Sequence, residues 1–213
     1  MRNSFGNERG NAAFYMIWLL GIVAILFLIV INISNIFVTG AQSSNTSEQA
    51  AIAGTSVILD ETKKAINKFD DNPLSVPTRA HHNMKTIKEV IEDKKNTYQQ
   101  TVFSEEQAYI KALNNVLPGE IEEHGLLKDT IKDHFNSVNL NDKIYAVVTS
   151  VVSDNQGNAA DTQVVLSNTE WRLEVKTSVD YHSISDQQYI PEITDKIDGE
   201  GFGPSLEYLE KLY

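Results

Sequence analysis

Residues 12–31 read AAFYMIWLLGIVAILFLIVI, twenty consecutive positions without a charge. About 20 apolar residues in a helix span the ~30 Å hydrocarbon core of a bilayer. The run is apolar on every face, whereas a helix lying on a soluble core needs only one apolar stripe. We therefore read a transmembrane helix and not a buried core helix. Uncharged residues continue through Ser47, but Asn32, Ser34 and Asn35 mark the approach to the far interface.

The flanks set an orientation. Arg2, Arg9 and the terminal amine precede the run, opposed by Glu8 alone, and no Lys or Arg follows until Lys63. The positive-inside rule then places residues 1–11 in the cytoplasm and the remainder outside the cell membrane, as a single-pass protein. A cleaved secretory signal is the competing reading. Its apolar core is normally about 7–15 residues, shorter than this run. The small residues Val38-Thr39-Gly40-Ala41 would be its cleavage region, without a clean A-x-A.

Composition excludes several classes. Of 213 residues, 18 are Lys or Arg and 29 are Asp or Glu, for a formal charge of −11. Sixteen of the basic and 28 of the acidic residues lie beyond residue 40, a net of −12 outside the membrane. A nucleic-acid partner needs a basic footprint, so none is expected. Docking of the exterior on anionic lipid by charge is not expected either. Cysteine is absent, which removes disulfides, thiolate metal sites and a cysteine nucleophile.

After the apolar run, apolar or small pairs recur every seven residues: Val30/Ile31, Phe37/Val38, Ala51/Ile52, Ile58/Leu59 and Ala65/Ile66, with Ser44/Asn45 the polar exception. That spacing keeps the pairs on one helix face. No proline occurs before Pro73, and Asp70-Asp71-Asn72-Pro73 is the natural stop. An unbroken helix over 12–69 would measure about 87 Å. Gly40 and 42–47 are where a kink would fall. The sequence thus divides into a tail (1–11), a transmembrane helix (12–38), a helical stalk (39–72) and an external domain (73–213). Two readings of the stripe stand: it is covered by the protein's own domain, or it packs against helices of neighbouring subunits. Ala51, Ile52, Gly54, Ile58 and Leu59 are the candidate packing surface, with small residues permitting close approach.

Within 81–98, Met84, Ile87, Val90, Ile91 and Tyr98 follow helical spacing. Ser104 and Gln107 form a capping-box pattern that opens a helix to Val116, Pro118-Gly119 breaks the chain, and 120–135 is helical again. The Val-, Ile- and Thr-rich 143–153 then reads as a strand, 154–158 as its turn and 162–167 as the returning strand. In 171–182, Trp171, Leu173, Val175, Thr177, Val179 and Tyr181 alternate with polar residues, the mark of an antiparallel sheet covered on one face. Residues 199–203 read as a loop and 205–212 as a short closing helix. Helices first and strands second predict an α+β class.

No pattern calls for chemistry. Adjacent His81 and His82 point to different helix faces, and His124, His134 and His182 stand outside any zinc spacing. Asp154-Asn155-Gln156-Gly157-Asn158 with Asp161 lacks the ligand pattern of a calcium loop. GEGFG at 199–203 is flanked by Asp198 and contains Glu200, which would repel phosphate. We expect no catalytic, cofactor or metal residues and no small-molecule ligand.

Arg9-Gly10, the long apolar helix and Ser47-Glu48-Gln49-Ala50-Ala51-Ile52-Ala53-Gly54 resemble the N-terminal module of TadE/TadG-like proteins, components of bacterial tight-adherence (Flp-type) pili. The resemblance covers about residues 8–55. It implies a pilin-like overall form, a non-enzymatic accessory or minor pseudopilin role, and other pilus or secretion-system membrane proteins as partners besides the lipid bilayer. It also makes Gly10 the candidate processing position. Prepilins carry Glu five residues beyond the cleavage glycine, and Tyr15 stands there, so an uncleaved N-terminus is expected. The competing class is a membrane-anchored ligand-binding or receptor module.

Overall fold

The computed structural model describes residues 8–185, 188 and 191–213. One helix, α1 (Glu8–Asp70), runs unbroken for 63 residues, about 95 Å. Gly40 and the polar run 42–47 lie inside it without a break. Three buried hydroxyls of the helix bond back to carbonyls one turn earlier: Ser47 Oγ to Ser43 O (2.9 Å), Thr55 Oγ1 to Ala51 O and Thr62 Oγ1 to Ile58 O (both 2.8 Å). Satisfied within the helix, they can be buried without an unpaired donor. The helix ends at Asp70, where Asn72 caps a 3-10 turn at Pro73–Ser75.

The segment read as a stalk is the central helix of the domain. Ala50, Ala51, Ile58, Ala65, Ile66 and Phe69 are buried and belong to its core. Five helices follow: α2 (Val76–His81), α3 (Ile87–Gln99), α4 (Glu105–Glu123), α5 (Gly125–Ser137) and α6 (Leu140–Asp154). The helix expected across 81–98 begins at Ile87, because Asn83 and Met84 take positive φ and Thr86 with Glu89 forms a capping box. The Ser104/Gln107 capping box opens α4 as read.

Two expectations are corrected in the helices. Pro118-Gly119 does not break the chain: α4 continues to Glu123, and the break falls at His124. Proline inside a helix costs about 3 kcal/mol. Burial of Leu113, Val116, Leu117 and Ile121 around it supplies more, at roughly 1.5–3 kcal/mol per side chain. Residues 143–153 are helical, within α6, and not a strand. Leu140, Ile144, Val148 and Val152 are the buried residues, four apart, while Tyr145 and Ala146 are exposed. The low helix propensity of Val and Ile, at most about 0.7 kcal/mol each, is outweighed by that burial.

The sheet has three antiparallel strands in the order β1 (Gln163–Leu166), β2 (Leu173–His182), β3 (Thr194–Phe202). Val164 stands opposite Val175, and Val175 opposite Gly201. The returning strand expected at 162–167 therefore pairs with β2 and not with 143–153. The alternation of β2 holds: Leu173, Val175, Thr177, Val179 and Tyr181 are buried and Lys176, Asp180 and His182 exposed. Ser178 is the buried exception, because Asn158 and Asp161 from the segment before β1 bond to it. Residues 199–202, read as loop, are the end of β3, and Gly203 follows them. The closing helix is a 3-10 turn, Glu207–Lys211, whose buried Tyr208 shares a 2.8 Å hydrogen bond with Thr62. The molecule is thus a mixed α and β structure: helices and a small antiparallel sheet packed around the second half of one long helix.

Candidate functional site

The two halves of α1 have opposite surroundings. In the apolar half, Phe14, Trp18, Leu20, Phe27, Val30 and Phe37 are exposed, and the helix is long and apolar enough to cross a membrane. Gly10, the candidate processing position, lies in the first turn of α1. Arg2 lies outside the described residues. Past the apolar half, the polar run is used by the domain: Gln42 Nε2 donates to Asn155 O (3.1 Å) and Ser43 Oγ to Thr177 O (3.4 Å).

The seam between α1 and β3 is built from small residues. Gly199 faces Ser43 and Gly201 faces Ser47, each so close that a Cβ would overlap the helix backbone. Gly203 sits against Ala51 O and Thr55 Oγ1. On a strand, alternate residues rise about 6.6 Å, and on a helix every fourth residue rises about 6.0 Å, so the two ladders stay in step.

The candidate packing surface is divided by this arrangement. Ala51 and Ile58 are buried, and a Cβ at Gly54 would meet Leu173 and, at 2.9 Å, Val148. These three positions are therefore taken by the chain's own sheet and α6, and no neighbouring subunit can reach them in the folded domain. Leu59 packs half-buried on the same core. Ile52 is 45 % exposed and remains open to a partner.

Two charged clusters lie deeper in the domain, and neither was read in the sequence. Glu61, 3 % exposed, lies between α5 and α6. Its Oε2 is 2.8 Å from His134 Nε2, and its Oε1 accepts from Lys143 Nζ and Lys64 Nζ, both at 3.0 Å. Burial pushes this carboxyl upward, but the bonds from Lys143, Lys64 and His134 outweigh it and hold the group at about 2. Positions 61, 134 and 143 meet only once α5 and α6 are both helical, so no local signal marks them. In the second cluster, Glu120 is 8 % exposed; its Oε1 is 2.8 Å from His82 Nε2 and its Oε2 is 3.6 Å from His124 Nε2. His81 lies beside His124, ring centres 6.2 Å apart. His182 is exposed and pairs with Glu192 at 2.9 Å. Asp161, from the turn weighed as a calcium loop, is held below the usual carboxylate range by Lys196 and Ser178. Among the described residues, no group of three or more His, Asp or Glu side chains is placed to hold a metal ion.

The chain matches no family model, no curated protein and no solved structure.

Proposed function

We propose that this chain is a non-enzymatic, membrane-anchored accessory protein or minor pseudopilin of a Tad/Flp-type pilus or related secretion system. Residues 1–11 are cytoplasmic and the domain lies outside the cell membrane. One observation carries the reading: a single helix is apolar and bare in its first half and is the spine of an α+β domain in its second. That is the division expected of a pilin-like subunit, whose bare half enters a bilayer or a bundle of like helices. The R-G pair and the 47–54 run support it, as does the basic bias ahead of the span.

The test uses the full chain in its native bacterium. Photo-crosslinkers at Val23 and Phe27, both exposed, should form adducts with a pilin or a membrane component of the pilus machine. A C-terminal tag should be digested in intact spheroplasts. Adducts with lipid alone, together with normal piliation in a deletion strain, overturn the assembly role; a protected tag overturns the orientation.

A membrane-anchored ligand-binding module is the second reading. A cavity of about 630 Å³ favours it, lined by Ile58, Leu140, Ile144, Val164 and Leu173. Small-molecule sites typically measure about 300–1,000 Å³. Saturable thermal stabilisation by an apolar compound, abolished by Val165→Trp at the exposed rim, would establish it.

A further inference from the structure

We infer that the outer edge of β1 is a strand-addition site. Its occupant is an extended peptide with apolar residues at alternate positions and a basic residue beside them. The peptide pairs with Val164 and Leu166 and seats its side chains in the cavity lined by β1 and α6. This rests on the ligand-binding reading of that cavity and holds whether or not α1 spans a bilayer.

The register fixes which backbone groups face outward. Ser167 N–H donates to Arg172 O at 2.9 Å, and on the far side of β2 Gly203 N–H donates to Leu173 O at 2.8 Å. Bonded and non-bonded pairs alternate along an antiparallel ladder. Val165 and Glu174 are therefore a bonded pair, while Val164 opposite Val175 and Leu166 opposite Leu173 are not. Val164 and Leu166 turn their N–H and C=O groups away from β2, and no described strand lies beyond β1. Exposed edges are normally blunted by lysine, proline or a bulge. Gln163-Val164-Val165-Leu166 contains neither lysine nor proline, and its register with β2 runs without a bulge.

Beside this edge the covering layer stops short. Residues opposite one another share a sheet face, yet Leu173 and Val175 are buried while Leu166 and Val164 are only half-buried. The space left there is about 630 Å³, lined by Val164 and Leu166 together with Leu140, Ile144 and Tyr145 of α6. Alternate side chains of an added strand, about 6.6 Å apart, share one face, and here that face looks into the cavity. Main-chain bonds to the edge supply affinity, and the cavity selects the side chains.

Charge selects the occupant. Asp142 is the one charged side chain lining the cavity; it is exposed and forms no ion pair with a described residue. A second copy would set a chain of formal charge −11 against its like, with Asp142 on both rims. A lysine or arginine flanking the apolar residues matches Asp142 instead.

The probe is a short synthetic peptide with valine at alternate positions, threonine between them and lysine at both ends, titrated into the full chain in phospholipid nanodiscs. Fluorescence anisotropy of a labelled copy reads affinity, and amide hydrogen exchange reads pairing. We expect saturable binding with a Kd below about 1 mM. Exchange should slow at Val164 and Leu166 and stay unchanged at Val165, whose N–H already faces Glu174. Methylating the peptide amides that face β1 should weaken binding at least about tenfold. Val164→Pro, which removes an edge donor that the fold does not use, should do the same, with an unchanged melt showing that the variant folds. Glutamate in place of both lysines should also weaken binding. Equal affinity for the methylated peptide overturns strand addition while leaving the cavity a binding site. Equal affinity for the glutamate peptide overturns the charge selection. Protection of Val164 and Leu166 without peptide, rising with protein concentration, makes the occupant a second copy and overturns the peptide. No binding of the peptide, with an apolar compound still stabilising the chain, overturns strand addition alone; failure of both removes the ligand-binding reading with it.

Discussion

Gly201 of β3 lies against the backbone of Ser47 in α1 with no room for a side chain between them. Gly199 repeats the relationship at Ser43, one helical turn earlier. The GEGFG run is therefore the strand face that lets a sheet lie directly on a helix backbone. Its glycines are set by the neighbour across the seam.

We expect Gly201→Ala and Gly199→Ala to destabilise the domain by about 1–3 kcal/mol, since the neighbour across the seam is the α1 backbone at Ser43 and Ser47 and cannot rotate away. Gly119→Ala is the counterpart. It lies exposed in α4 with nothing near its Cβ position, and should be neutral or stabilising by up to about 1 kcal/mol. Thermal melts followed by circular dichroism separate the two; equal melting for Gly201→Ala and the parent would show that the seam is looser than this geometry.

The stripe separates along the same lines. Gly54→Leu should destabilise the domain and make it protease-sensitive, because Leu173, Val148 and Ile144 already occupy the space. Ile52→Ser, on the open face, should change stability by less than about 0.5 kcal/mol. Loss of crosslinks to partner proteins in Ile52→Ser, with the melt unchanged, would identify Ile52 as a contact to a neighbour. Unchanged crosslinks would leave the stripe wholly to its own domain.

What could be read in the chain followed from local rules. The uncharged run, the stop at Asp70–Pro73, the Ser104/Gln107 cap and the alternation of β2 each concern residues close in sequence. The misreadings share a different cause. The β-branched residues of 143–153 favour a strand locally, yet the four-residue spacing of Ile144, Val148 and Val152 decides the helix. The backbone cost of Pro118 is local, whereas the burial of Leu113, Val116, Leu117 and Ile121 that offsets it depends on the packed domain. GEGFG reads locally as loop because the reason for its glycines lies in α1, 156 residues away for Gly199 and Ser43 and 154 for Gly201 and Ser47. The stripe was legible as a buried face; that Ala51, Gly54 and Ile58 belong to this chain's own core needed the sheet and α6 in place.

Glu61 is held ionised by Lys143, Lys64 and His134 although burial opposes it. Its folded value of about 2 lies below the ordinary 4.5, so its contribution is present above pH 4.5 and is lost as pH falls toward 2. Glu61→Gln should cost about 2 kcal/mol near neutral pH, the scale of hydrogen bonds to a charged group. The variant should also lose less stability than the parent on acidification. Urea midpoints across that range check both; parallel acid losses in the two proteins would remove Glu61 from the account.

Asp70, the last residue of α1, is the acceptor for the first turn of α3: its carboxylate takes the N–H groups of Ile87 (3.1 Å) and Lys88 (2.9 Å). Burial raises this carboxyl above its ordinary 3.8, more than those two bonds and Arg79 lower it. The sign is opposite to that of Glu61. The pH-linked stability of Asp70 is fully present below pH 3.8 and declines as pH rises through its higher folded value. Asp70→Ala leaves two helix N–H groups without their acceptor and should cost about 1–2 kcal/mol, as loss of a helix cap does. Asp70→Asn keeps one oxygen acceptor and does not titrate, so its cost should be smaller and should shrink further as pH rises from 3.8 toward neutrality. Hydrogen exchange at the amides of Ile87 and Lys88 should quicken more in the Ala variant than in the Asn variant. Equal exchange and equal melting in the two would show that the carboxylate does not hold α3 to α1. A parent that gains on the Asn variant as pH rises would reverse the assigned role of burial.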